Sequence, residues 1–261
     1  MDTNLKQFPM PDVDTKVPLM VPGGLIIMNY VGSTAHGTYI PNNNPGSVDD
    51  IDVMGVCIGT KDIYLGLDAF EQYTDQTDPW DVVVYELRKF VRLLLKQNPN
   101  VMGMLWTKKS IYLNSLGKRL YDSRDIFVSK EAYHSFIGYA YGQLHKMEHF
   151  KHEGYMGEKR KALVEKWGYD CKNAAHLVRL LNMCIEFLKT GGFNVDRTDI
   201  DAGIIKHIKT GGWTLQMVKE YADAAFADAL TVYKTSQLPD KPNHKAANKL
   251  VIEILEEHFN L

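Results

Sequence analysis

The chain has 261 residues, 45% of them hydrophobic and 24% charged, which is enough to bury a core in one large domain or two small ones. A formal net charge of −2 argues against a protein that grips nucleic acid by bulk electrostatics, but leaves room for a local basic cleft. Three cysteines without C-x-x-C spacing suggest neither a disulfide framework nor a zinc knuckle, and no apolar run approaches the ~20 residues that span a bilayer, so a cytoplasmic protein with no membrane partner is expected.

Residues 1 to about 24 hold four prolines and little hydrophobic periodicity, and read as an irregular arm. Leu25–Tyr30 is a short strand or helix candidate that ends at Gly32. A small, polar loop follows, then IPNNNPGSVDD, whose Asn, Pro, Gly and Asp content fits only turn or loop. Asp50–Ile58 and Asp81–Tyr85 are rich in β-branched residues and read as strands. Glu86–Gln97 places Leu87, Phe90, Val91, Leu94 and Leu95 at helical spacing before the stop at Asn98-Pro99. From Ser129 onward the pattern is wholly helical, with helices over about 130–151, 170–188, 214–233 and 245–259. The change of pattern near residues 122–129 marks an expected domain boundary.

In Asp50-Ile51-Asp52-Val53 the alternation of a strand puts both aspartates on one face. Two such carboxylates repel each other unless a cation sits between them, and hard oxygen donors suit magnesium. The same arrangement serves two-metal phosphoryl chemistry. Upstream, Gly32-Ser33-Thr34-Ala35-His36-Gly37 offers glycines that let backbone approach a phosphate, and the Ser33 hydroxyl as a donor. A third carboxylate is expected from the neighbouring strand. Asp81 opens that strand and Glu86 closes it; they fall on opposite faces, so only one can serve. Asp81 is favoured, with Glu86 read as a first-turn helix residue. Asp49 is assigned to the turn before the strand. Farther on, Lys172, His176 and Arg179 fall within ~60° of arc on one helix. That stripe is either a solvated face or a wall that binds phosphates.

GSTAHG, DDIDVMGV, DVVVYELRKFVRLLLKQNPNVMGMLW and KWGYDCKNAAHLVRLL together resemble the stand-alone predicted-nucleotidyltransferase branch of the polymerase-β superfamily, some members of which are encoded beside RNA ligases. The resemblance runs from about residue 26 to the C-terminus. It implies an α+β fold: a small mixed β-sheet nucleotidyltransferase core over residues 1–125, and an all-helical domain over 126–261 that completes the nucleotide cleft. It implies catalytic, metal-binding roles for Asp50, Asp52 and Asp81 with two Mg2+ ions (Mn2+ as the substitute). Nucleotide contacts fall to Gly32, Ser33, His36, Lys172 and Arg179. His36 stands where the branch usually has tyrosine, and Gly103 where an acidic residue is common. The implied reaction moves a nucleoside monophosphate from a nucleoside triphosphate to an acceptor hydroxyl or phosphate. The acceptor is an RNA end, as in end modification or repair, or else a protein or small molecule. The alternative is a non-catalytic nucleotide-binding or antitoxin-like module.

Overall fold

The computed structural model describes residues 21–41, 49–77, 80–108, 110–149 and 158–261. Most of the expected N-terminal arm, and the Asn/Pro/Gly-rich stretch after Pro41, lie outside the described residues.

The chain is α+β. Its strands are β1 (Gly24–Tyr30), β2 (Ile51–Ile58), β3 (Gln72–Thr77), β4 (Trp80–Glu86) and β5 (Ser110–Leu113). They form one mixed sheet in the order β3-β4-β2-β1-β5, with β2 and β4 parallel and the other neighbours antiparallel. Alternation along β2 sends Val53 and Cys57 to one face of the sheet, where they meet Val21, Met28, Val82 and Val84. Met54, Val56 and Ile58 go to the other face and join the main core beneath the helices. Asp52 shares that second face by the same alternation, so its carboxylate points toward the helical half rather than to the far side of the sheet.

The expected helices are present, that over about 130–151 as far as the described residues reach. The helix after β4, α3 (Leu87–Leu95), follows two short helices, α1 (Gly32–Ala35) and α2 (Lys61–Leu65). After it come α4 (Pro99–Met102), α5 (Ser115–Asp122), α6 (Ala132–His149), α7 (Glu158–Trp167), α8 (Cys171–Thr190), α9 (Ala202–Lys209), α10 (Leu215–Thr235) and α11 (His244–Phe259). Helix α8 begins where the Asp170 side chain accepts from Asn173 N–H at 3.0 Å, and ends at Gly191 with φ +74°. It is buried around most of its circumference and packs against α6, α9 and α10. One buried cluster takes residues from both sides of position 125, from Ile26 and Phe90 to Leu181 and Ile254, and α11 packs back on α3 and α5. Packing is therefore continuous across the expected boundary.

Several elements differ from the sequence reading. The segment after β1, expected as loop, is a helical turn held by Ala35 N–H to Val31 C=O (3.2 Å) and His36 N–H to Gly32 C=O (3.1 Å). Strands β3 and β5 lie at the sheet edges, where one side needs no apolar partner, so QYTDQT forms a strand without hydrophobic alternation. No helix among the described residues is long and apolar enough to cross a membrane.

Candidate active site

The parallel register of β2 and β4 pairs Asp52 directly with Asp81. Both lie on the helical face, beside the half-buried Val83 and Tyr85 that pack on the main core. Asp50, Asp52 and Asp81 all line one cleft of about 490 Å³ between the sheet and α8. Glu86 is not there. It is 2% exposed and caps α3, its Oε1 accepting from Arg88 N–H (2.9 Å) and its Oε2 from Lys89 N–H (3.1 Å). A buried carboxylate on the N-terminal amides of a helix is in a stable, occupied position, so the structure places Asp81, and not Glu86, beside Asp52.

Gly32 begins the turn that closes this end of the cleft. It has φ +56°, and a methyl group there would collide with the Asp52 carboxylate. Only a glycine permits both the backbone conformation and that approach. Val31 N–H donates to Asp52 C=O at 3.0 Å, which joins the turn to β2. The Ser33 hydroxyl is buried with no hydrogen-bond partner among the described residues, and Ser33 lines the cleft. Such a hydroxyl needs an acceptor from elsewhere.

Burial, and then the neighbouring Asp81, Asp50 and Asp49 charges, push the Asp52 carboxyl up to about 7, against the opposing pull of Lys172. Negative charge is therefore held here at a penalty that a cation would remove. Among the described residues no three His, Cys, Asp or Glu side chains are drawn into a ready-made metal cage. The donors themselves, carboxylate oxygens carrying excess negative charge, fit a hard divalent ion.

The opposite wall is basic. Lys172, His176 and Arg179 from α8, together with Lys209 from α9, line the cleft. The Arg179 Nη1 donates to His36 Nε2 at 2.8 Å and approaches the Met183 sulfur at 3.4 Å. No carboxylate among the described residues pairs with Arg179, and burial lowers its guanidinium to about 10. Asp201 and Asp52 act on it only from a distance, and an arginine with no direct carboxylate partner among the described residues suits a phosphate ligand.

His36 lines the cleft and is held from both sides by protein. Arginine can only donate, so His36 Nε2 accepts, which makes Nδ1 the protonated nitrogen that donates to Val195 C=O at 2.8 Å. Both ring nitrogens are thus committed to protein. Burial, then the adjacent Arg179, holds the imidazole well below its usual range, so it stays neutral. Its position supports Arg179. Behind it, Arg197 is 2% exposed and makes a bidentate pair with Asp201 (2.7 Å to each oxygen) and a 2.7 Å contact to Glu186. The Arg197 N–H donates to His36 C=O at 3.2 Å.

Two cleft residues escaped the sequence reading. Asp49, assigned to the turn, is 1% exposed and paired with Lys209. Lys209 had no local signal: its partner is 160 positions away. The basic stripe on α8 was visible from spacing alone.

The model of the RNA repair pathway DNA polymerase beta family matches residues 23–203, more than half of the chain. No curated protein matches. Among solved structures, a nucleotidyltransferase-like protein from Exiguobacterium sibiricum 255-15 aligns at 9% identity with a TM-score of 0.32, over 97% of this chain and 80% of that one.

Proposed function

The chain belongs to the RNA repair pathway DNA polymerase beta family, and from that premise we propose that it transfers a nucleoside monophosphate from a nucleoside triphosphate to the end of an RNA. Polymerase-β-type nucleotidyltransferase chemistry follows from the family; the two-metal route, the residue roles and the RNA acceptor are this proposal's own. The observation that carries it is the register pairing of Asp52 with Asp81, opposite a wall that bears Lys172 and Arg179.

Asp50, Asp52 and Asp81 would hold two Mg2+ ions, or Mn2+ in their place. When bound, the ions supply charge neutralisation at the triphosphate and at the oxygens that attack and leave the α-phosphorus. The remaining contributions come from the chain itself. Gly32 lets the backbone approach the phosphates, and the Ser33 hydroxyl donates to one of their oxygens. Lys172 and Arg179 bind the β- and γ-phosphates, so the leaving pyrophosphate is held by charges fixed before reaction. His36 keeps the Arg179 fork oriented by accepting from Nη1. Helices α8 and α9, in the 126–261 half, thereby complete the nucleotide cleft. The acceptor oxygen, its proton released to solvent where it is a hydroxyl, forms a bond to the α-phosphorus as the bond to the β-phosphate bridging oxygen breaks, and pyrophosphate departs.

The test uses the full chain with triphosphate labelled at the α- or the γ-phosphate, plus separate RNA and protein fractions. Label should enter RNA from the α-position only. Entry from the γ-position would indicate a kinase-like reaction, entry into protein would change the acceptor, and binding without any transfer would favour a non-catalytic module.

A further inference from the structure

Asp49 stands one residue before the acidic pair and is the most enclosed acid of the cleft. Its Oδ2 accepts from Ile40 N–H (2.9 Å) and from Lys209 Nζ (2.9 Å), and its Oδ1 accepts from Lys209 Nζ (3.0 Å). Lys209 Nζ also donates to Thr38 C=O at 3.0 Å. An ammonium has three N–H groups, and these three acceptors take all of them. The Lys209 side chain is 9% exposed. Burial lowers its affinity for the proton, and the Asp49 charge and hydrogen bonds oppose that shift. Lys172 is placed differently: it is 28% exposed and its Nζ lies 3.8 Å from Asp49, beyond hydrogen-bonding distance at that contact.

The same lysine braces both segments that make the site. Through Asp49 it fixes the residue from which the backbone enters Asp50, Ile51 and Asp52. Through Thr38 it reaches the phosphate turn, because Thr38 N–H donates to Ser33 C=O at 2.9 Å. Lys209 sits at the C-terminal end of α9, so it joins the helical half to both.

We infer that Lys209 and Asp49 form a positioning pair for the transfer site, which sets the acidic strand and the Gly32-Ser33 turn relative to one another without touching the nucleotide. This rests on the nucleotidyl transfer proposed above. Cutting one partner strands a buried charge, whereas replacing both leaves no charge behind. The double variant therefore separates positioning from stability.

The experiment compares the full-length wild type with Lys209→Met, Asp49→Asn and Asp49→Asn/Lys209→Met. The readouts are melting temperature, kcat and KM for the triphosphate in label transfer, and affinity for a fluorescent triphosphate without divalent ions. Each single variant should melt lower than the double, which should melt close to wild type. The double variant should still lose about tenfold in kcat, with KM and metal-free affinity changed by less than about threefold. The single variants enter the kinetic comparison only if they fold; the double variant decides the matter in either case. Unchanged kcat in a well-folded double variant would reduce the pair to a structural contact and overturn the inference. A tenfold rise in KM or loss of metal-free affinity would make Lys209 a nucleotide contact, and would overturn the inference as well. A wild type that transfers no label would instead defeat the proposed reaction itself.

Discussion

Replacing Asp52 by Asn should stabilise the metal-free protein while abolishing its chemistry. The unfolded chain releases the Asp52 proton near 3.8 and the folded protein near about 7, so the folded state binds that proton more tightly. Stability from this group is complete below 3.8, is lost as pH rises through about 7, and then stays at its minimum. The difference between 3.8 and about 7, at ~1.36 kcal/mol for each tenfold change in proton affinity, sets an upper bound of ~4 kcal/mol. Asp52 keeps some contact with solvent in the cleft, so about half of that, ~2 kcal/mol, is the realistic gain. For a chain of this size the corresponding rise in melting temperature is roughly 4–8 °C. The assay is thermal unfolding of wild type and Asp52→Asn, without divalent ions, between about pH 4 and about pH 8. The gap between them should open as pH rises and become constant above about 7. Magnesium should raise the wild type by ~2.7 kcal/mol at a hundredfold excess over its dissociation constant, and the variant by much less. A variant that melts at or below wild type throughout this range would refute the reasoning, because Asp52 would then carry no strained charge.

Three further outcomes follow from the geometry. Gly32→Ala should reduce transfer severely, since its methyl group would collide with the Asp52 carboxylate at a position with φ +56°; steady-state rates with a circular dichroism control check this. Lys172→Ala and Arg179→Ala should each weaken triphosphate binding by ~1.5–3 kcal/mol and monophosphate binding far less; equal losses measured by calorimetry would point to a general packing role. Glu86→Gln should lower stability by ~1–2 kcal/mol through its cap on α3 and leave kcat intact, and denaturant unfolding beside kinetics distinguishes the two effects.

Local patterns carried the parts of this site that depend on neighbours in sequence. The alternation of Asp50 and Asp52, and the spacing of Lys172, His176 and Arg179, are properties of a single element, and both sets line the cleft. Asp81 was legible as the opening residue of a strand, while its pairing with Asp52 needed the parallel register of β2 and β4. Glu86 was within reach, because an acid just before a helical pattern is a capping signal; its burial was not. Asp49 with Lys209, and His36 between Arg179 and Val195, were out of reach for a different reason. Each joins segments more than a hundred residues apart, and a lone lysine near a helix end carries no mark of what it will meet. The edge strands β3 and β5 escaped because an edge position relaxes the demand for alternation that identifies interior strands.

The carboxylates that β2 and β4 bring side by side are the centre of the proposed reaction. Transfer of label from α-labelled triphosphate to RNA, measured for wild type, Asp52→Asn and Asp81→Asn with magnesium present, addresses them directly. Both variants should fold and fall by at least about a thousandfold from the wild-type rate, the range expected when groups essential to charge stabilisation are removed. Wild-type transfer by either folded variant would contradict the assignment of that pair as the centre of the reaction.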